Sequence, residues 1–143
     1  MKYRTILCED NESIRKIFNF ILQERGHEVF SYEDAGDCPI SSCAECKCNQ
    51  INPCADIIIS DLLMPKVNGL EFIENLNKNG CRIKNIALVS GYWIDENISR
   101  AVKIGCTVIH KPSPPEEILN WIATCEKYID PQRVLPEKCP LTS

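Results

Sequence analysis

The stretch ADIIISDLLMPKVNG, residues 55–69, decides the fold. Ile57, Ile58 and Ile59 form an unbroken β-branched run. Such a run suits a central parallel strand covered on both faces better than an alternating, half-wet one. Ser60 and Asp61 follow where that strand should leave the core. Met64-Pro65 then stops further pairing, because proline has no N–H and a fixed φ. Asn68-Gly69 predicts a turn into a new amphipathic segment. Asp61 is thus expected at the carboxyl end of a buried strand, where open α/β sheets bind their ligands. A loop aspartate capping the next helix is the plainer alternative, so the other strand ends must decide.

Working outward, Thr5 to Cys8 reads as a short strand ending in Glu9 and Asp10. Asn11 can cap a helix whose apolar face is Ile14, Ile17, Phe18, Ile21 and Leu22. Gly26 closes it, and Glu28 to Tyr32 reads as the second strand. Beyond the opening stretch, Leu70, Phe72, Ile73 and Leu76 mark a helix closed by Asn79-Gly80. Ile83 to Val89 predicts a strand ending in Ser90-Gly91, followed by a helix with Ile98, Ala101, Val102 and Ile104 that ends at Gly105. Cys106 to His110 predicts a further strand, followed by Lys111-Pro112. Pro114-Pro115 opens the last helix, whose partly apolar face is Ile118, Leu119, Ile122 and Tyr128, and Pro131 stops it. Residues 130–143 read as a loosely held tail. Strands alternating with helices imply an α/β fold with a parallel sheet, right-handed crossovers and helices on both faces.

A chain of 143 residues makes one ordinary domain with a real core. Net charge −4 and a pI near 5.2 argue against nucleic-acid or anionic-membrane binding. No apolar run approaches a membrane span, and MKYRTILCEDNES has no signal-peptide core, so a cytoplasmic setting is expected. Ten cysteines are many for this length. Five of them, Cys38, Cys43, Cys46, Cys48 and Cys54, crowd residues 34–55, where Pro39, Pro53, Ser41-Ser42 and Asn49 break the α/β rhythm. At most a short helical turn from Cys43 to Cys48 is expected there. Cysteines clustered in a reducing compartment bind metal more often than they form disulfides. Cys43, Cys46 and Cys48, completed by Cys54 or Cys38, could hold Zn²⁺ or an Fe–S cluster. Redox-active, unliganded or disulfide-paired thiols stay open beside that reading. Cys8 reads as a small core hydrophobe, and His27 and His110 as ordinary strand residues. Trp93 and Trp121 read as partly buried or as part of a partner surface.

In a parallel sheet the strands all finish on one edge, with neighbours about 4.8 Å apart. Glu9-Asp10, Asp61, Ser90 and Lys111 then form one set, comprising carboxylates, a hydroxyl and an ammonium. Carboxylates that close repel one another unless a hard cation sits among them. Mg²⁺ suits such a set, since it takes a few carboxylates and completes its octahedron with water and phosphate. Ser90 and Lys111 would bind phosphoryl oxygens opposite the metal. Asp61, on the central strand, is the natural nucleophile for an acyl phosphate.

Together, Glu9-Asp10, Asp61 with Leu62-Leu63-Met64-Pro65 and Gly69, Ser90-Gly91 and Lys111-Pro112 resemble the receiver domain of two-component response regulators. The resemblance covers about residues 3–129, so a receiver domain is expected over residues 1–129. It implies a flavodoxin-like, doubly wound five-stranded sheet of order 2-1-3-4-5. It also implies that Asp61 accepts a phosphoryl group from a histidine kinase, and that a downstream protein reads the result. By the same resemblance, Glu9 and Asp10 hold Mg²⁺ with Asp61 and the backbone carbonyl of Leu63. Ser90 is then the switch hydroxyl, Lys111 contacts the phosphate, and the Lys111-Pro112 bond is often cis. Val108 stands where the family often has an aromatic, the cysteine segment replaces the second helix, and the tail is too short for a helix-turn-helix. The chain therefore looks like a single-domain regulator, which catalyses only its own phosphorylation and dephosphorylation. A phosphatase of the haloacid-dehalogenase kind would need a second aspartate at the position of Leu63. A metal- or redox-sensing module on a receiver scaffold would bind metal at the cysteines and leave Asp61 unmodified.

Overall fold

The computed structural model describes residues 2–42, 53–112, 114–136 and 141. Its centre is the isoleucine run. Strand β3 (Ile57–Asp61) is buried along its whole length and lies between β1 (Tyr3–Cys8) and β4 (Asn85–Ser90). Strands β2 (His27–Tyr32) and β5 (Thr107–His110) form the edges, giving a fully parallel sheet of order β2-β1-β3-β4-β5. This is the doubly wound order expected from the sequence, with its switch point between β1 and β3.

Alternating side chains divide the core into two layers. Ile57 and Ile59 join Leu7, Ala87, Val89 and Ile109 beneath α1 (Glu12–Glu24) and α4 (Pro115–Tyr128), meeting Leu22, Ile118 and Ile122. Ile58 joins Ile6 and Leu88 on the other face, beneath α2 (Gly69–Lys78) and α3 (Asp95–Lys103), where Leu70, Phe72, Ile73 and Ala101 pack. Asn11 caps α1 through Oδ1, which accepts from the Ile14 N–H at 3.0 Å. Gly26 follows that helix with φ +85°, the left-handed conformation that glycine adopts without a Cβ penalty.

Where a second helix would stand, the described part of the cysteine-rich segment forms two short 3₁₀ turns, Ala35–Asp37 and Pro39–Ser42. Ala35, Cys38, Ile40 and Cys54 fill the core there in place of a helical stripe. Cys43, Cys46 and Cys48, and the short turn expected across them, lie outside the described residues.

Several boundaries differ from the sequence expectation. Ladder pairing on β4 begins at Asn85, opposite Ile57, so Ile83 is buried without belonging to the strand. Helix α4 ends at Tyr128, before Pro131 acts, because Ile129 is already extended. The described residues after it are held in place where the sequence predicts a loose tail. Arg133 reaches the buried Asp56 carboxylate with Nε and one terminal nitrogen, each at 2.6 Å. The Arg4 guanidinium donates to the carbonyls of Cys54 and Pro136 at 3.2 and 3.0 Å. Leu141 is buried in the layer that holds Cys38 and Cys54.

Candidate functional site

Register brings the strand-end residues to one edge. Cys8 pairs with Ser60, Asp61 with Val89, and Ser90 with His110, so Glu9, Asp61, Ser90 and Lys111 emerge side by side. Glu9, Asp10 and Asp61 each offer a carboxylate oxygen, and these oxygens lie within 4.8 Å of one another. The Lys111 Nζ stands between two of the acids, 2.8 Å from Asp61 Oδ1 and 3.1 Å from Glu9 Oε1. The Asp10 backbone N–H donates to Asp61 Oδ2 at 3.3 Å. Asp10, Asp61, Leu63, Ser90 and Lys111 border an open depression of about 230 Å³. An all-oxygen, multiply anionic donor set at the mouth of such a depression fits a hard divalent cation with phosphate as a further ligand.

Electrostatics follow from burial. Asp61 is only 6% exposed. Burial pushes its pKa above the usual carboxylate range, while the Lys111 contact and the Asp10 N–H pull in the opposite direction. Glu9 is 3% exposed, and its carbonyl accepts from the Arg15 guanidinium at 2.7 Å, which ties α1 to the end of β1.

The corner after Asp61 is built tightly. The Leu62 N–H donates to the Val89 carbonyl at 2.9 Å, and the Gly69 N–H returns to the Leu62 carbonyl at 2.7 Å. A Cβ on Gly69 would overlap the Asp61 carbonyl oxygen and press on Leu88, so this turn requires glycine.

Asp34 is a residue that the sequence reading does not single out. Buried after β2, it accepts from Gly36 N–H at 2.8 Å, Lys66 N–H at 2.7 Å and Val67 N–H at 3.1 Å. Burial alone would raise its pKa, but these three N–H groups and the Lys66 charge outweigh that and hold it below the ordinary value. Asp34 just ahead of Ala35-Gly36 is a capping signal. Partners 32 and 33 positions away leave no local trace in the sequence.

The remaining sequence candidates divide clearly. The Ser90 hydroxyl donates to the Tyr92 carbonyl and accepts the Tyr92 N–H, both at 3.0 Å. The Lys111–Pro112 peptide is cis. Cys8 is a buried thiol whose pKa burial pushes well above its usual value, in keeping with a core role. His27 is more engaged than an ordinary strand residue, since its ring bridges Thr5 Oγ1 and Glu126 Oε2 at 2.7 Å each. His110 is exposed and packs edge-on to Trp93. Trp93 and Trp121 are partly buried, donating to the Ile109 carbonyl and Thr107 Oγ1 respectively. Cys54 is buried far from Asp61, at the opposite end of β3.

A doubly wound sheet with acids, a serine and a lysine along the carboxyl edge defines a receiver-type protein. The sequence matches the response regulator receiver domain over residues 5–123, and the chain belongs to that family, the response regulator receivers of two-component signalling. It is 26% identical over 137 residues to the phosphate regulon transcriptional regulatory protein PhoB of Escherichia coli, covering 94% of this chain and 56% of that protein. The chain thus spans little more than half the length of that relative. It is 25% identical over 126 residues to chemotaxis protein CheY of Treponema pallidum, covering 87% of this chain and 83% of that one. A CheY-like receiver domain from Methanospirillum hungatei shares the fold with a TM-score of 0.71 at 22% identity, covering 89% of this chain and 96% of that one. Among the described residues, no helix is long and apolar enough to cross a membrane.

Proposed function

We propose that the chain is a phosphoacceptor switch in which Asp61 takes a phosphoryl group from the phosphohistidine of a histidine kinase. The observation that carries this reading is the Lys111 Nζ lying 2.8 Å from Asp61 Oδ1 while the Glu9, Asp10 and Asp61 oxygens converge within 4.8 Å. In the transfer, the phosphorus–nitrogen bond breaks as a carboxylate oxygen of Asp61 bonds to phosphorus. The histidine leaves with the electron pair and recovers a proton. Glu9, Asp10, Asp61 and the Leu63 carbonyl are the residues that would hold Mg²⁺, which supplies positive charge to the phosphoryl oxygens. Lys111 then neutralises a further phosphoryl oxygen, and Ser90 supplies a hydroxyl donor from the neighbouring strand. With Val108 in β5 where the family often has an aromatic, the change is read by a partner without an aromatic rotor at that position.

Acetyl phosphate with MgCl₂ tests the reading directly. Wild-type protein should gain one phosphoryl group by intact mass, Asp61→Asn should gain none, and beryllofluoride should protect the wild type alone. A wild type that stays unlabelled at saturating MgCl₂ would overturn the proposal.

A further inference from the structure

Residues 63–67 form the apex of the corner that follows Asp61 and include Leu63. Their flanks are anchored in the sheet, since Leu62 is fully buried and bonded to Val89, and Gly69 closes back on Leu62. The apex is held differently. Pro65 has no N–H, and among the described residues the only backbone hydrogen bonds reaching 63–67 are the two from Lys66 and Val67 to Asp34.

We propose that Asp34 is a positioning residue for the Leu63 carbonyl, clamping the apex from outside the metal site. This rests on the reading of Glu9, Asp10, Asp61 and Leu63 as magnesium ligands. A carboxylate that only capped its own turn would need one oxygen for Gly36. Here Oδ2 is given wholly to Lys66 and Oδ1 is shared between Gly36 and Val67. The two segments are in close contact as well: a Cβ on Gly36 would lie 3.1 Å from Val67 Cγ2 and 3.2 Å from Lys66 Cβ. Leu63 is therefore suspended between a pin in the core and a pin at Asp34. Removing the second leaves its carbonyl free to reorient, and the metal must then meet the cost of ordering it.

A MgCl₂ titration of the full chain, followed by backbone amide shifts, measures the effect without reference to phosphorylation. Asp34→Ala is expected to weaken Mg²⁺ binding about tenfold or more, in the range seen when supports of metal ligands are removed. Asp34→Asn, which keeps one carbonyl acceptor, should fall between Asp34→Ala and the wild type. Asp37→Ala is the control. It removes the ion pair of Lys66 Nζ with Asp37 at 2.5 Å on the same apex but leaves the backbone bonds intact. Its affinity should stay within about twofold of the wild type, as for an exposed ion pair. A purely structural Asp34 would lower the melting temperature and leave the dissociation constant alone, and that result overturns the proposal. So does an Asp37→Ala loss as large as that of Asp34→Ala. Should Asp34→Ala fail to fold, a folded Asp34→Asn with wild-type affinity overturns it equally. A wild type that binds no Mg²⁺ overturns the underlying phosphoacceptor reading as well, which separates the two failures.

Discussion

The Asp61 carboxylate is a buried anion beside one ammonium that it shares with Glu9. Its raised pKa means that ionisation costs more in the folded chain than in the unfolded one. The sign follows: that cost is absent below the unfolded aspartate value of about 3.9 and is fully felt above the raised folded value. Asp61→Asn should therefore melt higher than the wild type at pH 7, by roughly 2–4 °C for each kcal/mol relieved. The difference should shrink towards pH 4, and thermal scans at the two pH values check it. A variant that melts lower at pH 7 would mean that Lys111 overcompensates for burial. At this scale the site is legible where the parallel sheet does the placing. Glu9, Asp10, Asp61, Ser90 and Lys111 each end or follow a strand, so knowing the strands gives the edge. The sharing of Lys111 between two acids, and the reach of Asp34 across more than thirty positions, depend on tertiary contacts that no local pattern carries.

Between β3 and α2 the chain turns so closely that the helix starts against the carbonyl of the phosphoacceptor candidate. Gly69→Ala should cost about 3 kcal/mol, the upper end of overpacking, because its Cβ meets backbone and the rigid Leu88 side chain. Chemical denaturation measures the loss, and labelling of Asp61 by acetyl phosphate should fall with it as the strand end is displaced. The strands are legible because β-branched runs bounded by Gly, Pro and polar caps have few alternative uses. Their ends are less so: β4 starts at Asn85 because β3 offers no partner before Ile57, a fact about pairing and not about residues 83–84. The 3₁₀ turns in place of a second helix follow from the absence of any apolar stripe. What the sequence does not reveal is that Ala35, Cys38 and Ile40 still supply a core layer.

At the scale of the whole fold, all of the described cysteines are buried. Burial pushes Cys106 up to about 12 and Cys125 up to about 11, which keeps both protonated and inert at neutral pH. Elemental analysis of protein prepared anaerobically without chelator tests the metal reading of the cysteine-rich segment: zinc or iron supports it, and a metal-free result removes it. The far end of the sheet carries a prediction of its own. Arg133 and Asp56 have side chains only 6% and 2% exposed. Arg133→Ala takes the paired guanidinium from the buried Asp56 carboxylate, leaving it the Arg4 N–H at 2.9 Å, and should cost about 3–5 kcal/mol, read from urea midpoints. Arg4 extends that tie, joining Glu28 on β2, the Cys54 carbonyl and the Pro136 carbonyl at the pole opposite Asp61. A protease that cuts the polypeptide beyond α4 would thus unfasten the base of the open sheet while leaving the Asp61 edge chemically untouched, so limited digestion offers a dial for fold strength separate from the proposed phosphate chemistry.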